Sequence, residues 1–259
     1  MGTRIDEAAA GPTPHGAGGA ARYVDINLAR LHQMGMVTHD GGRTSAAEDF
    51  RLIKRPLLRT AAAAVAEGRP NGNLIVVTSA LPGEGKTYCA INLAMSIAME
   101  KDHTVLLVDA DVARPSVLKV LGLPAAPGLM DVLLSAHVAL PDVIFRTNID
   151  TLSLLPAGRS NKHSTELLAS HTMSKLLSEI AGRYPERIVI FDSPPLLLTS
   201  EASVLAGQMG QVVLVVEAET TTQREVKEAL RRLENCQRIE LICNKVRAFP
   251  GTEYYAYYE

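Results

Sequence analysis

Residues 78–90 read TSALPGEGKTYCA, directly after the apolar run NLIVV at 73–77. From Ala80 to Thr87 the stretch fits G-x-x-x-x-G-K-[ST], with Ala80 in the place of the first glycine. The remaining residue types each have a chemical reason. Gly83 and Gly85 let backbone N–H groups turn inward around phosphate oxygens, and a helix starting here offers its positive N-terminus. Lys86 would reach β- and γ-phosphates, and Thr87 would present its hydroxyl to Mg²⁺. A Gly-rich turn arising by chance predicts neither a strand before it, nor a helix after it, nor Lys-Thr at this spacing. The run Pro82, Gly83, Glu84, Gly85, Lys86, Thr87 and Tyr88 is therefore the expected nucleotide-binding stretch.

Outward from this loop the pattern repeats. NLIVVTS, TVLLVDA, TLSLLPA, RIVIFDS, QVVLVVEA and IELICN are near-continuously apolar, and helical stretches such as GKTYCAINLAMSIAME, TELLASHTMSKLLSEIAGR and QREVKEALRRLEN lie between most of them. Strands buried on both faces and alternating with helices specify an α/β fold, a doubly wound, mostly parallel sheet of the P-loop NTPase kind. Ligands of such sheets sit beyond the carboxyl ends of the strands. Two further strands end in acid there. TVLLVDADVARPS ends in Asp109 and Asp111, two apart and so expected on one strand face, and RIVIFDSPP ends in Asp192. Strand-end aspartates also serve as caps and turn formers. Beside a phosphate loop on the same edge, Asp192 is placed to hold Mg²⁺.

The flanks divide the chain. Residues 1–21 are Gly-, Ala- and Pro-rich with little to bury and are expected to be disordered. Residues 22–72 form a helical extension. INLARLHQMGM has roughly helical spacing, and SAAEDFRLIKRPLLRTAAAAVAE reads as a helix with Ser45 as N-cap ahead of Glu48 and Pro56 set to bend or divide it. Residues 73–247 are the nucleotide-binding domain, and 248–259 form a tail ending EYYAYYE. Aromatics are only 4% of the chain and there is no Trp, yet four of seven tyrosines crowd into this end, where a core has no use for them.

Bulk composition excludes several classes. A net charge of −2 gives nothing for nucleic acid to read, and no apolar stretch approaches the roughly 18 residues that cross a bilayer. The first residues lack a signal-peptide apolar core, and Asp6 breaks the myristoylation pattern. Cys89, Cys236 and Cys243 form neither a metal spacing nor an even disulfide set, so a reducing, cytoplasmic location is expected and an iron–sulfur reductase is not. Cys89, on the helix after the loop, reads as a buried small apolar residue.

SALPGEGKT, LLVDADVARPS and IVIFDSPP, in this order, resemble the three nucleotide motifs of the bacterial tyrosine kinases, and the wording is similar to that of exosortase-associated tyrosine autokinases of exopolysaccharide loci. EDFRLIK at 48–54 resembles their E-x-x-R-x-x-R oligomerisation motif through Glu48, Arg51 and Lys54, and the tyrosine-rich end resembles their autophosphorylation site. The resemblance spans residues 22 to 259. It implies an ATP- and Mg²⁺-dependent tyrosine autokinase with Lys86, Asp109 and Asp111 as catalytic residues. Thr87, Asp111 and Asp192 would serve the metal, and Asp109 would orient or activate the acceptor hydroxyl. Tyr254, Tyr255, Tyr257 and Tyr258 would be the phosphoacceptors. Asn244, in ICNKV, would contact the purine, although an Asn at a strand end is equally a turn residue. The family's D-x-D-x-R pattern departs here: Ala113 fills the arginine position and Arg114 follows.

The resemblance further implies a ring-like homo-oligomer, a transmembrane polysaccharide chain-length regulator as partner, a tyrosine phosphatase, and a place at the inner face of the membrane held through that partner. INLARLHQMGM would dock the partner or pack on its own domain. Glu48, Arg51 and Lys54, three apart, share a helix face, which serves an intersubunit contact or a within-helix ion pair. Two rival readings stand beside the kinase. One is a positioning or partitioning ATPase, which would carry an extra lysine in K-G-G-x-G-K, where Leu81 and Pro82 stand here. The other is a nucleotide-gated scaffold for a polysaccharide complex.

Overall fold

The computed structural model describes residues 22–183 and 186–247. The 1–21 segment and the 248–259 tail with its four tyrosines lie outside the described residues. The chain runs through β1 (Arg22–Val24), α1 (Leu28–Gln33), α2 (Ser45–Ala66), β2 (Leu74–Ser79), α3 (Lys86–Ala98), β3 (Thr104–Asp109), α4 (Val117–Leu121) and α5 (Leu129–Leu134). It continues through β4 (Phe145–Thr147), β5 (Leu152–Leu155), α6 (Ser164–Leu168), α7 (His171–Arg183), β6 (Arg187–Asp192), α8 (Glu201–Ala206), β7 (Gln211–Glu217), α9 (Gln223–Arg232) and β8 (Ile239–Asn244).

All six apolar runs are strands of a single sheet with order β1-β4-β5-β3-β6-β2-β7-β8. Neighbours pair in parallel except β4 with β5, which pair antiparallel. Successive side chains of a strand point to opposite faces, and the core divides accordingly. Leu74, Val76, Leu106, Val108 and Phe191 pack on one face with α5, α7 and α8. Ile75, Val77, Leu107, Ile190 and Val213 pack on the other with α2 and α3. Because β6 lies between β3 and β2, Asp109 pairs in register with Asp192, and Val77 of β2 pairs with Asp192 from the other side. That adjacency is what gathers the site.

The N-terminal segment joins the second core. Ile26, Leu31, Met36 and Val37 are buried, and Ile26 exchanges two hydrogen bonds with the Asn148 side chain at 2.9 and 3.0 Å. Ile26, Leu31 and Met36 of INLARLHQMGM thus pack on the chain's own domain, while Met34 is exposed. β1, which adds a strand beyond β4, was not expected from the sequence. The N-cap of α2 is Thr44 rather than Ser45: its hydroxyl accepts from Ala47 N at 3.1 Å. Pro56 does not divide the helix, which is continuous over 22 residues. The carbonyl deprived of its partner belongs to Leu52, on an exposed turn where water can take its place. The stretch expected as one helix at 165–183 is two, α6 and α7. Among the described residues no helix is long and apolar enough to cross a membrane.

Lys54 faces inward. It is only 5% exposed, its Nζ donates to the Ser96 carbonyl at 2.6 Å, and it pairs with Glu100 at 2.6 Å. α2 is thereby fastened to the C-terminal end of α3. Lys54→Ala removes the donor from a buried carbonyl and leaves space behind, so it should destabilise the fold by about 1–3 kcal/mol. Urea unfolding with an unchanged slope is the measurement.

Candidate active site

The loop leaving β2 turns through Gly83 at φ +88° and Gly85 at φ +96°. Both lie in the left-handed region that side chains resist. Gly85 is also the N-cap of α3, whose first N–H groups have no preceding carbonyls to bond. A Cβ on Gly85 would lie 2.1 Å from Asn244 Nδ2. Asn244, at the end of β8, donates to the Glu84 carbonyl at 2.8 Å and so presses against the loop from the far side. Gly85→Ala should cost about fivefold to thirtyfold in nucleotide affinity, since left-handed strain is about 1–2 kcal/mol. Titration with a fluorescent ATP analogue reads it.

Lys86 leads α3, and its Nζ lies 2.8 Å from Asp111 and 3.5 Å from Asp192. Thr87 donates its hydroxyl to Asp192 Oδ2 at 2.7 Å and shares a 2.9 Å hydrogen bond with Ser116. Asp192 is fully buried at the end of β6, and its Oδ1 has no hydrogen-bond partner. Asp109, 1% exposed, accepts from Ser116 N and Val117 N through Oδ2, both at 3.0 Å, while Oδ1 is without a hydrogen-bond partner. β3 ends at Asp109, so Asp111 does not share a strand face with it as the spacing suggested. Asp111 sits in the following loop, accepts from Arg114 N at 3.1 Å, and reaches Lys86 from there.

Three buried carboxylates around one ammonium leave the cluster short of positive charge. Burial, with the Asp192 carboxylate adding to it, pushes the Asp109 carboxyl up to about 7, against the pull of the two N–H groups it accepts. Burial likewise pushes Asp192 up to about 6, with the Lys86 ammonium and the Thr87 hydroxyl opposing. Burial pulls Lys86 down, but Asp192, Asp111 and Asp109 outweigh it and hold the ammonium above its ordinary value. The Asp109 Oδ1 without a hydrogen-bond partner, the glycine cradle and the excess of carboxylate fit a phosphate–Mg²⁺ pair.

Not every expected residue points into this site. The Glu84 carboxylate is buried, accepts from Leu81 N at 2.7 Å and is bonded by the Thr221 hydroxyl, so it braces the loop against the end of β7. The Tyr88 hydroxyl donates to Gly35 O at 3.0 Å and its ring meets Phe50 edge-on, which ties α3 to the N-terminal segment. Pro82, Ala113 and Arg114 are exposed at the rim. Cys89 is buried, as expected, and burial pushes its thiol up to about 12. Glu48 and Arg51 pair with each other along α2, while Lys54 turns to α3, so the three do not stand together on one exposed face. Ser116 and Thr221 are the participants the sequence did not single out.

Comparison with known proteins agrees with this geometry. A family model described as an AAA domain matches residues 72–245. The tyrosine-protein kinase YwqD of Bacillus subtilis strain 168 is 34% identical over 163 residues, 63% of this chain and 67% of that protein. The tyrosine-protein kinase Wzc of Salmonella typhimurium strain LT2 is 30% identical over 194 residues, 72% of this chain and 26% of Wzc. The chain spans only about a quarter of the length of several such relatives. Among solved structures, the kinase domain of the Escherichia coli tyrosine kinase ETK superposes with a TM-score of 0.70 at 29% identity, covering 82% of this chain and 80% of that one.

Proposed function

This chain belongs to the bacterial tyrosine-kinase family, and from that membership we propose that it is an ATP-dependent autokinase of its own tail. Its acceptors are Tyr254, Tyr255, Tyr257 and Tyr258, and transfer runs between copies of an oligomer. The observation that carries the reading is the pairing of Lys86 with Asp111 and Asp192 beside an Asp109 whose Oδ1 is buried and unpartnered. A metal-and-phosphate site alone serves hydrolysis; a second buried carboxylate with a free oxygen serves an incoming hydroxyl.

In this reading Lys86 holds phosphate oxygens and neutralises charge that grows on them. Thr87, Asp111 and Asp192 would hold Mg²⁺, which would neutralise phosphate charge when bound. Among the described residues no three His, Cys, Asp or Glu side chains form a metal cluster by themselves, so the remaining ligands would be phosphate and water, as Mg²⁺ favours. Asp109 Oδ1 takes the proton of the acceptor tyrosine hydroxyl, and a carboxyl near 7 is suited to accept it at neutral pH. Asn244 orients the base from its post against Glu84 and Gly85. Glu48 and Arg51, at the surface of α2, contribute to the contact between copies, with Lys54 holding that helix in place. A membrane-spanning regulator of polysaccharide chain length would bring the kinase to the membrane and a phosphatase would reset the tail, as the resemblance of the motifs implies.

The between-copies step is tested by mixing a Lys86→Met chain, which keeps its tyrosines, with an active chain lacking residues 248–259. Phosphotyrosine on the Lys86→Met chain is the expected result. Its absence, with label appearing on unmixed wild type at a rate independent of concentration, would restrict transfer to one subunit.

A further inference from the structure

Glu84 stands between the two left-handed glycines of the phosphate loop, Gly83 and Gly85. Such glycines permit the shape of the loop but give it no stiffness, because glycine is free to adopt many others. A carboxylate is also an unexpected choice beside a phosphate site, where its charge opposes the ligand. Yet Glu84 is only 2% exposed. Its Oε2 accepts from Leu81 N at 2.7 Å, its Oε1 accepts from the Thr221 hydroxyl, and its carbonyl accepts from Asn244 Nδ2 at 2.8 Å.

The two remote donors belong to one unit. Glu217 of β7 pairs in register with Asn244 of β8, and Ala218 N donates to the Asn244 carbonyl at 2.9 Å. Lys245 Nζ closes the same junction on Glu217 at 2.8 Å. Thr221 Oγ1 accepts from Glu217 N at 3.1 Å, which leaves its own proton for Glu84. At Asn244 the consequence is directional. The Glu84–Gly85 peptide is trans and planar, so a carbonyl anchored on Asn244 turns the Gly85 N–H the opposite way.

We infer that the ends of β7 and β8 preset the phosphate loop by gripping Glu84, so that Thr221 and Asn244 are positioning residues for the triphosphate. The Glu84 charge is engaged by Thr221 and Leu81 N and stays turned away from phosphate, and the Gly85 N–H is aimed before any ligand arrives. Donors fixed in advance spare the ligand the cost of ordering them. This role is separate from the base contact proposed for Asn244, which acts only on ligands that carry a base. It rests on the nucleotide-site reading above and not on the identity of the acceptor.

Inorganic tripolyphosphate with Mg²⁺ has the phosphates of ATP and no base. Its affinity for the full-length protein, measured by calorimetry beside that of ATP and well below each variant's melting temperature, is the test. Thr221→Val removes the hydroxyl at nearly constant shape, Thr221→Ser keeps it, and Asn244→Ala removes the amide. The expected result is that Thr221→Val and Asn244→Ala each weaken tripolyphosphate binding by about tenfold, as when a buried oxygen loses its donor. Thr221→Ser should bind like wild type. Asn244→Ala gives the same readout independently should Thr221→Val not fold. Unchanged tripolyphosphate affinity, with only ATP weakened by Asn244→Ala, would make Asn244 a base contact alone and overturn the inference. A wild type that binds ATP but not tripolyphosphate would also overturn it, since a loop preset by the protein needs no base. So would a loss in Thr221→Val that Thr221→Ser does not restore, which would mark damage to the loop after β7 rather than a missing hydroxyl. Tripolyphosphate binding reads the loop and phosphotyrosine reads the kinase, so the expected affinities in a chain that forms no phosphotyrosine would keep the inference and reject the kinase.

Discussion

Lys86→Met should abolish phosphotyrosine formation, a fall of a thousandfold or more, while the chain stays folded. The magnitude follows from the position. Lys86 is the one ammonium among Asp109, Asp111 and Asp192, and loss of a preorganised positive group facing transferring phosphate costs about 4 kcal/mol or more of barrier. Methionine keeps the length and apolar stem of lysine, and the side chain is on a loop-borne helix start rather than in either core. The variant also leaves three carboxylates without their counter-charge, so its nucleotide affinity should fall too. A phosphotyrosine assay and a thermal melt on the same preparation check it. Retained phosphotyrosine in a folded, contaminant-free Lys86→Met preparation would remove Lys86 from the mechanism.

Asp109→Asn should separate transfer from binding. Asparagine keeps an oxygen to accept from Ser116 N or Val117 N but has no basic oxygen to take a proton, so transfer should drop by a hundredfold or more, within the range of general-base contributions. Nucleotide affinity should change by only a few-fold, because Lys86 is held directly by Asp111 and Asp192 and not by Asp109. The same change should affect stability with a defined sign. A carboxyl whose pKa rises from 3.8 to about 7 on folding binds more protons folded than unfolded between those values. Its contribution therefore declines as pH rises through that window. Asp192, raised to about 6, acts in the same direction. Without nucleotide or metal, wild type should melt lower at pH 8 than at pH 5.5, and Asp109→Asn should flatten that slope. Melts across pH test this, and an identical slope in the two chains would mean that Asp109 is not the group responsible.

Much of the fold was legible because burial on both faces writes itself as unbroken apolar runs. β2, β3, β6 and β7 needed only Val, Ile and Leu in series. β1 and β4, three residues each, carry arginines and join at the sheet margin, where neither length nor alternation marks a strand. Lys54 shows the limit of helical spacing: three residues from Arg51 it shares that face in projection, yet its burial is decided by Ser96 and Glu100, more than forty positions away. In the site, Lys86, Thr87, Asp109 and Asp192 were legible because a phosphate loop and strand-end acids have few other uses. Ser116 was not, since a serine before a short helix carries no signal until the helix is seen to aim N–H groups at Asp109. Glu84 sits inside the motif, but its side chain answers to Thr221 rather than to a ligand.

The most direct test of the kinase assignment is intact-mass and peptide mass measurement after incubating the purified chain with ATP and Mg²⁺. The result expected is stepwise addition of up to four phosphates, all mapping to Tyr254, Tyr255, Tyr257 and Tyr258, and none in the Lys86→Met chain. Steady release of ADP and inorganic phosphate with the tail mass unchanged would contradict it, and would make this nucleotide site a hydrolase.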